Sequence, residues 1–437
     1  MYKGGYFKLK QRKKLLILSV DALVAEDMDY LSTMPCFQKY IAGGAAVKKM
    51  RSIYPTITYP AHTSIITGTY PNRHMVYSNG HFEAGSKNYP WRWFADNLVV
   101  PDLFSAAKAK GLKTASVFWP VTGNHPHIDY LINEYWAQSE EETSRDAFAR
   151  SGTSEEVLTR VVDKHVSKLE DRIHPGCDYF VVKCACDIIR EFDPDLIALH
   201  PANIDAYRHK TGLFNDMILQ GLHEVDEWIG MLAEALQDAG ALEQTDFVLL
   251  SDHGQMEVKR IIHPNVIFAD HGLIQYDSDG NLTHWKAICH SLGMSAAVYI
   301  NEPDAYDEVY GLLCHMRDEQ IYGISEVYTA AEANESEHLC GDFAFILETD
   351  GYTSFGENYI RPIVTNFDFS DYRFGRASHG YLPDKGPQPV FYAKGPSFKE
   401  GVILDRRSIV DIAPTLARAL GISLPDADGA VMEELLV

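Results

Sequence analysis

Residues 246–254 read Asp246-Phe-Val-Leu-Leu-Ser-Asp-His-Gly254, a short apolar run that ends in an acid, a histidine and a glycine. A continuous apolar run of this length suits a strand buried on both faces. Leu15–Val20, Thr114–Trp119 and Asp195–Leu199 have the same look. Helical patterns stand between them. A helix over Pro101–Lys110 precedes the stop signal Gly111, and an amphipathic stretch over Phe214–Ala239 ends at Gly240. In the second of these, Ile218, Leu222, Val225, Ile229 and Leu232 recur at helical spacing. The alternation predicts an α/β fold, a mostly parallel central sheet covered by helices on both faces. Residues 257–375 differ, with short strand-like pieces such as Ala296–Ile300 and Phe343–Glu348 among many turn residues. They are read as a smaller, partly inserted α+β subdomain of one domain spanning 1–437. Ser408–Leu420, with Ile409, Ile412, Leu416 and Leu420 in register, closes the chain as a helix.

The 437 residues are 46% hydrophobic and 23% charged, which fits an ordinary globular chain and argues against disorder. The formal net charge of −22 argues against a nucleic-acid polymer as partner, because counterion release needs clustered Lys and Arg. It leaves room for a small anionic substrate, since bound metal can create a local positive field. Seven cysteines are too sparse for a secreted disulfide framework, and Cys184 and Cys186 are read as core residues. Lys8, Lys10, Arg12, Lys13 and Lys14 before Leu15–Leu18 imitate a signal peptide, but Asp21 interrupts the apolar run early. A buried first strand explains it better. No apolar run is long enough to span a membrane, so the expectation is a cytoplasmic protein without a membrane partner.

Three of the four strands lead to an acid: Leu15–Val20 to Asp21, Asp195–Leu199 to Asp205, and Asp246–Leu250 to Asp252 and His253. Ligands of open α/β sheets bind beyond the carboxyl ends of the strands, so these side chains could converge there. Charges that close repel unless a cation holds them. Taken singly each signal is ordinary, because an Asp at a strand end is commonly a helix N-cap. Asp205 and His209, four apart, would share one helix face and could grip one ion. In Asp252-His-Gly254 the glycine lets backbone and ligands crowd together. Residues 54–68 read Tyr54-Pro-Thr-Ile-Thr-Tyr-Pro-Ala-His-Thr-Ser-Ile-Ile-Thr-Gly68. Pro60 suits the first turn of a helix, which puts Thr58 near a helix N-terminus, where unpaired N–H groups attract phosphate. A threonine hydroxyl there is a nucleophile if a base or metal activates it, and otherwise a cap.

Taken together, these motifs resemble the alkaline phosphatase superfamily, and within it the nucleotide pyrophosphatase/phosphodiesterase (type I phosphodiesterase) family. The resemblance runs in order through Ser19-Val-Asp-Ala22, Pro55-Thr-Ile-Thr-Tyr-Pro-Ala-His62, Thr67-Gly-Thr-Tyr-Pro71, Phe118-Trp-Pro120, Ser251-Asp-His-Gly-Gln-Met256 and His379-Gly-Tyr381. It implies an alkaline-phosphatase-like three-layer sandwich. It also implies two zinc ions, with manganese the other candidate: Asp21, Thr58, Asp252 and His253 would hold one, and Asp205, His209 and His379 the other. Thr58 would be the nucleophile that becomes phosphorylated, Asn79 the amide supporting the phosphoryl oxygens, and Tyr59 the aromatic ring that stacks on a nucleobase. His379 enters through the motif alone, because nothing else selects it among 18 histidines. His62 is expected to pack or bond locally.

The sequence departs from the family where glycine is common: Ala22 follows Asp21, Met75 follows His74, Val121 follows Trp119-Pro, and Arg208 precedes His209. Arg208 could narrow the site or contact a substrate. The function implied is hydrolysis of phosphodiester or nucleotide pyrophosphate bonds in a small anionic phosphate ester, nucleotides included. The rivals are a phosphomonoesterase or phosphonate hydrolase with the same metal set, and a metal-containing binding protein without catalysis.

Overall fold

The computed structural model describes residues 13–86, 89–169 and 173–437. Lys8, Lys10 and Arg12 lie outside the described residues. Eight strands form the central sheet: β1 (Lys14–Ser19), β2 (Ala45–Arg51), β3 (Thr114–Val117), β4 (Tyr130–Ile132), β5 (Leu196–Leu199), β6 (Thr245–Leu250), β7 (Phe391–Lys394) and β8 (Ile403–Ser408). Their order across the sheet is β8-β2-β7-β6-β1-β5-β3-β4. All neighbours are parallel except β7, which runs antiparallel to both β2 and β6.

The central strands are apolar throughout because both faces are covered. Leu16 and Leu18 of β1 belong to one buried cluster, with Val181 of one helix and Trp228 of another. Leu15 and Ile17 point the other way, into a cluster with Ile65, Phe104 and Leu416. The named helices are α1 (Thr58–Thr67), α2 (Leu103–Ala109), α3 (Gly176–Phe192), α4 (Asn203–Thr211), α5 (Asp216–Asp238) and α6 (Ile412–Leu420). Helices α3 and α5 pack on the first face; α1, α2 and α6 pack on the second. Cys184 and Cys186 are core residues of α3. The start of the expected closing helix differs: Ser408 ends β8, a single 3-10 turn follows at Ile409–Asp411, and α6 begins only at Ile412.

A second, antiparallel sheet of four strands lies within residues 287–349, in the order Ala287–Ser291, Ser295–Ile300, Phe345–Thr349, Ile324–Thr329. It is built around its own apolar cluster, which includes Val298, Ile346 and Leu347. Among the described residues, no helix is long and apolar enough to cross a membrane.

Candidate functional site

The carboxyl ends of β1, β5 and β6 are neighbours in the sheet, and the loops that leave them deliver most of the expected side chains to one place. Asp21 follows β1, Asp252 and His253 follow β6, and Asp205 and His209 share a face of α4, which follows β5. Thr58 is the first residue of α1, with Ile57 extended before it. His379 arrives by a non-local route. Ala377–Ser378 pairs antiparallel with Glu257 and Met256, which sets the residue after Ser378 beside the β6 loop. The imidazoles of His253 and His379 lie 4.3 Å apart, centroid to centroid. Gly254 provides the room: a Cβ there would sit 2.2 Å from the Pro387 carbonyl oxygen.

The donor atoms are aimed at one another. Thr58 Oγ1 is 3.1 Å from His253 Nε2. The same nitrogen is 3.2 Å from Asp252 Oδ2 and 3.5 Å from Asp21 Oδ1. His209 Nε2 is 3.2 Å from Asp205 Oδ2, and His379 Nε2 is 3.9 Å from Asp205 Oδ1. Backbone carbonyls fix two of the rings. Nδ1 of His209 donates to Ala377 O at 2.7 Å, and Nδ1 of His253 to Gly254 O at 3.2 Å. With Nδ1 donating, the neutral form of each ring keeps its Nε2 lone pair directed at carboxylate oxygens.

An arrangement of lone pair against carboxylate is repulsive without a cation between them. Asp21 Oδ1, Asp252 Oδ2 and His209 Nε2 are all buried with no hydrogen-bond partner. Buried polar atoms are almost always satisfied, so three orphans in one place indicate a missing partner of positive charge. Burial first, then the Asp252 and Asp205 carboxylates, push the Asp21 carboxyl well above its ordinary range. The residues present therefore fit a metal centre. Two overlapping donor groups stand out: Asp205 with His209 and His379, and Asp21 with Asp205 and His253.

Around them a further shell sets the positions, and it includes residues the sequence did not flag. His200, at the end of β5, places Nε2 3.1 Å from Asp21 Oδ2 and is buried. Gln255 donates Nε2 to both the backbone and the side chain of Asp205. His62 bonds locally, as its spacing suggests: Nδ1 donates to Thr58 O at 2.9 Å and Nε2 meets Ser19 Oγ at 2.9 Å. Nothing in the motifs marked His200, although its place at a strand end is the same signal that marked Asp21 and Asp252.

Asn79 reaches the cleft beside Thr58. Its Oδ1 accepts from Tyr59 N at 3.0 Å, which turns Nδ2 outward, 3.3 Å from the Tyr372 hydroxyl. Tyr59 lines the cavity together with Trp91, Trp136, Phe118 and Tyr372, though it is buried, with its ring edge-on to Trp91 at 5.3 Å. One expectation needs correction. Arg208 does not enter the site. It is fully buried, with Nη2 donating to Asp27 Oδ1 at 2.6 Å, Nη1 to Ala22 O, and Nε to Leu213 O at 3.1 Å.

The other three glycine departures share one feature. Ala22, Met75 and Val121 all keep a left-handed backbone, with φ of 57°, 66° and 59°. The turns that favour glycine are retained here without it.

The cavity over this site has a volume of about 440 Å³ and reaches from Thr58 and His379 to His174 and Asp178 on the first turn of α3 and the loop before it. Comparison with known proteins agrees with the geometry. A family model described as type I phosphodiesterase / nucleotide pyrophosphatase matches residues 15–380. Human ectonucleotide pyrophosphatase/phosphodiesterase family member 1 is 24% identical over 270 residues, 58% of this chain and 25% of that protein. A venom phosphodiesterase of Macrovipera lebetinus is 24% identical over 260 residues, 57% of this chain and 26% of its own. The chain thus spans about a quarter of the length of these relatives. Human bis(5'-adenosyl)-triphosphatase ENPP4 is 23% identical over 423 residues, 94% of this chain and 78% of that protein. Murine ectonucleotide pyrophosphatase/phosphodiesterase 5 shares the fold with a TM-score of 0.67 at 19% identity, over 97% of this chain and 100% of that one. An inactive form of the murine protein, in complex with AMP, superposes with a TM-score of 0.66 at 18% identity. The chain belongs to the type I phosphodiesterase / nucleotide pyrophosphatase family.

Proposed function

We propose that the protein is a metal-dependent hydrolase that cleaves phosphodiester or nucleotide pyrophosphate bonds through a phosphorylated Thr58. The observation that carries this reading is the placement of the Thr58 hydroxyl: it stands at the N-terminus of α1, 3.1 Å from His253 Nε2, inside the ring of orphaned carboxylate and imidazole donors. Asp21, Thr58, Asp252 and His253 would hold one ion, and Asp205, His209 and His379 the other. The mixed Asp/His donor set suits zinc best, with manganese the alternative. When bound, such ions activate the nucleophile and stabilise charge on the phosphoryl oxygens.

The chain's own groups do the rest. Thr58 Oγ1 attacks phosphorus, its proton passes to water, and the phosphorus–oxygen bond to the leaving group breaks. The Asn79 Nδ2 donor, held by the bond from Tyr59 N to Asn79 Oδ1, faces the oxygens that gain charge. Water then attacks the phosphorylated Thr58 and releases a phosphate monoester, restoring the hydroxyl. His62 holds the first turn of α1 through the Thr58 carbonyl, and His200 holds Asp21.

Preference for a diester over a monoester rests on charge. A monoester dianion carries one more negative charge, and Lys210 is the one Lys or Arg among the described residues that line the cavity. Arg208, the other cation nearby in sequence, is withdrawn. The aromatic wall suits a planar substituent such as a nucleobase. The relatives named for nucleotide substrates, among them the bis(5'-adenosyl)-triphosphatase, support the same choice. The experiment is kcat/KM for a nitrophenyl diester, the matching monoester, a dinucleotide, a sugar nucleotide and phosphonoacetate under one set of conditions. The reading expects the diester and dinucleotides to lead. A monoester preference of about tenfold, roughly 1.4 kcal/mol in transition-state binding, rejects it, as does a lead by phosphonoacetate.

A further inference from the structure

Across the same cavity from Thr58 lies a second set of donors that the mechanism does not use. His174, Cys177 and Asp178 offer an imidazole, a thiol and a carboxylate whose ligand atoms all lie within 4.8 Å of one another. Cys177 Sγ is 3.4 Å from His174 Nδ1 and 3.9 Å from Asp178 Oδ2, and His174 Nδ1 is 2.7 Å from Asp178 Oδ2. Tetrahedral zinc bonds of about 2.0–2.3 Å to N, O and S put its ligands roughly 3.4–3.6 Å apart. The two sulfur separations already bracket that range. The cysteine–aspartate pair has to close by about 0.3 Å and the histidine–aspartate pair to open by about 0.7 Å on the same bond lengths.

Local structure makes the set. Cys177 and Asp178 sit in the first turn of α3, and His174 lies in the loop just before it. Asp178 is anchored by its second oxygen, Oδ1, which accepts from Ala202 N at 2.8 Å and leaves Oδ2 for the cluster. Cys177 and Asp178 are buried, while His174 is part-exposed, and all three line the cavity that holds Asp205 and His379. Burial and the Asp178 carboxylate push the Cys177 thiol up, so Cys177 reacts slowly with a small alkylating agent that enters the cavity it lines.

We propose that His174, Cys177 and Asp178 form a metal site for zinc or a similar thiophilic divalent ion, separate from the Asp/His centre. Binding releases the Cys177 thiol proton and the proton shared by His174 Nδ1 and Asp178 to solvent. Three protein ligands leave one coordination position open. What adjoins the cluster is the substrate cavity, so the open position can take an anionic oxygen of a bound ligand.

The sulfur makes the test specific, because the Asp/His centre contains no thiolate. Cobalt(II) exchanged into the purified full-length chain should give a thiolate-to-cobalt charge-transfer band in the near ultraviolet. The band should vanish in Cys177→Ser and persist in Cys184→Ala, whose sulfur is in the core of α3. In the wild-type chain, alkylation of Cys177, located by peptide mapping, should be blocked by zinc and restored by a chelator. This second readout stands even if Cys177→Ser does not fold. Absence of the band at saturating cobalt, its persistence in Cys177→Ser, or alkylation indifferent to zinc overturns the site. A chain that binds cobalt at the Asp/His centre without the band loses this inference alone. A chain that shows the band and binds nothing else loses the Thr58 mechanism alone.

Discussion

Arg208 and Asp27 form a buried ion pair, Nη2 to Oδ1 at 2.6 Å, with both side chains almost wholly removed from solvent. The guanidinium also donates to the Ala22 carbonyl, next to Asp21. A residue that could have contacted substrate instead ties α4, which bears Asp205 and His209, to the loop after β1. Breaking one side of a buried pair leaves an uncompensated charge, at a cost of about 3–5 kcal/mol. Arg208→Ala should lower the unfolding free energy by that much in denaturant titration. The ratio of diester to monoester kcat/KM should stay within about threefold of wild type, under 0.7 kcal/mol. A reversed ratio would place Arg208 in the substrate site.

The left-handed turn at Met75 gives a cleaner stability test. Met75 is exposed, so its side chain contributes little packing, while its φ of 66° is unfavourable for any residue with a Cβ. Met75→Gly removes roughly 1–2 kcal/mol of backbone strain and costs roughly 0.5–1 kcal/mol in unfolded-chain entropy. The expected net is a modest gain, up to about 1.5 kcal/mol, read as a rise in Tm. Val121→Gly should gain less, because Val121 is buried in the aromatic cluster beside Trp93 and Tyr135.

His74 sets a pH dependence. Burial lowers it from its ordinary value to about 3. The neutral ring accepts from Val76 N at Nδ1 and meets Ser64 Oγ at Nε2. The folded value lies below the unfolded one, so the unfolded chain binds the proton first. Stability from His74 is complete above pH of about 6.5 and is lost as pH falls toward 3, with a slope of about 1.4 kcal/mol per pH unit. Unfolding free energies of wild type and His74→Gln between pH 6.5 and 4.5 check this. The variant should show the shallower slope by about that amount, and equal slopes would contradict it.

The parts of the fold visible in sequence were those whose signal is local. β1, β5 and β6 read clearly because Leu15–Leu18, Leu196–Leu199 and Phe247–Leu250 are buried on both faces and so apolar at every position. β2 carries no such signal because Lys48 and Lys49 are exposed within it, and that of α3 is weakened because Asp178 is buried on its apolar face. The acids at strand ends were legible because a parallel sheet sends its loops to one edge. His379 was legible through its motif alone, since its placement depends on the pairing of Ser378 with Met256, which lie far apart in the chain. The burial of Tyr59 and the inward turn of Arg208 depend on tertiary neighbours, Trp91 and Asp27, that no local pattern announces.

The proposed metal dependence rests on the orphaned donors. Chelation of the purified protein should abolish turnover, and zinc should restore it. Asp252→Asn should lower kcat/KM by about a thousandfold or more, roughly 4 kcal/mol, because it removes a charged donor from the proposed metal site. Full activity after exhaustive metal removal would contradict the account.

The central claim is the covalent role of Thr58, and single-turnover trapping addresses it directly. Enzyme in excess over a phosphorus-labelled diester, quenched in acid within one turnover, should carry the label on the peptide that contains Thr58. Thr58→Ala should carry none, should lose nearly all turnover, and should keep its fold and bound metal, since little buried volume is removed. Thr58→Ser should retain some labelling, because the hydroxyl survives. Label on another residue, or wild-type turnover by Thr58→Ala, would reduce Thr58 to the cap of a helix and remove the proposed mechanism.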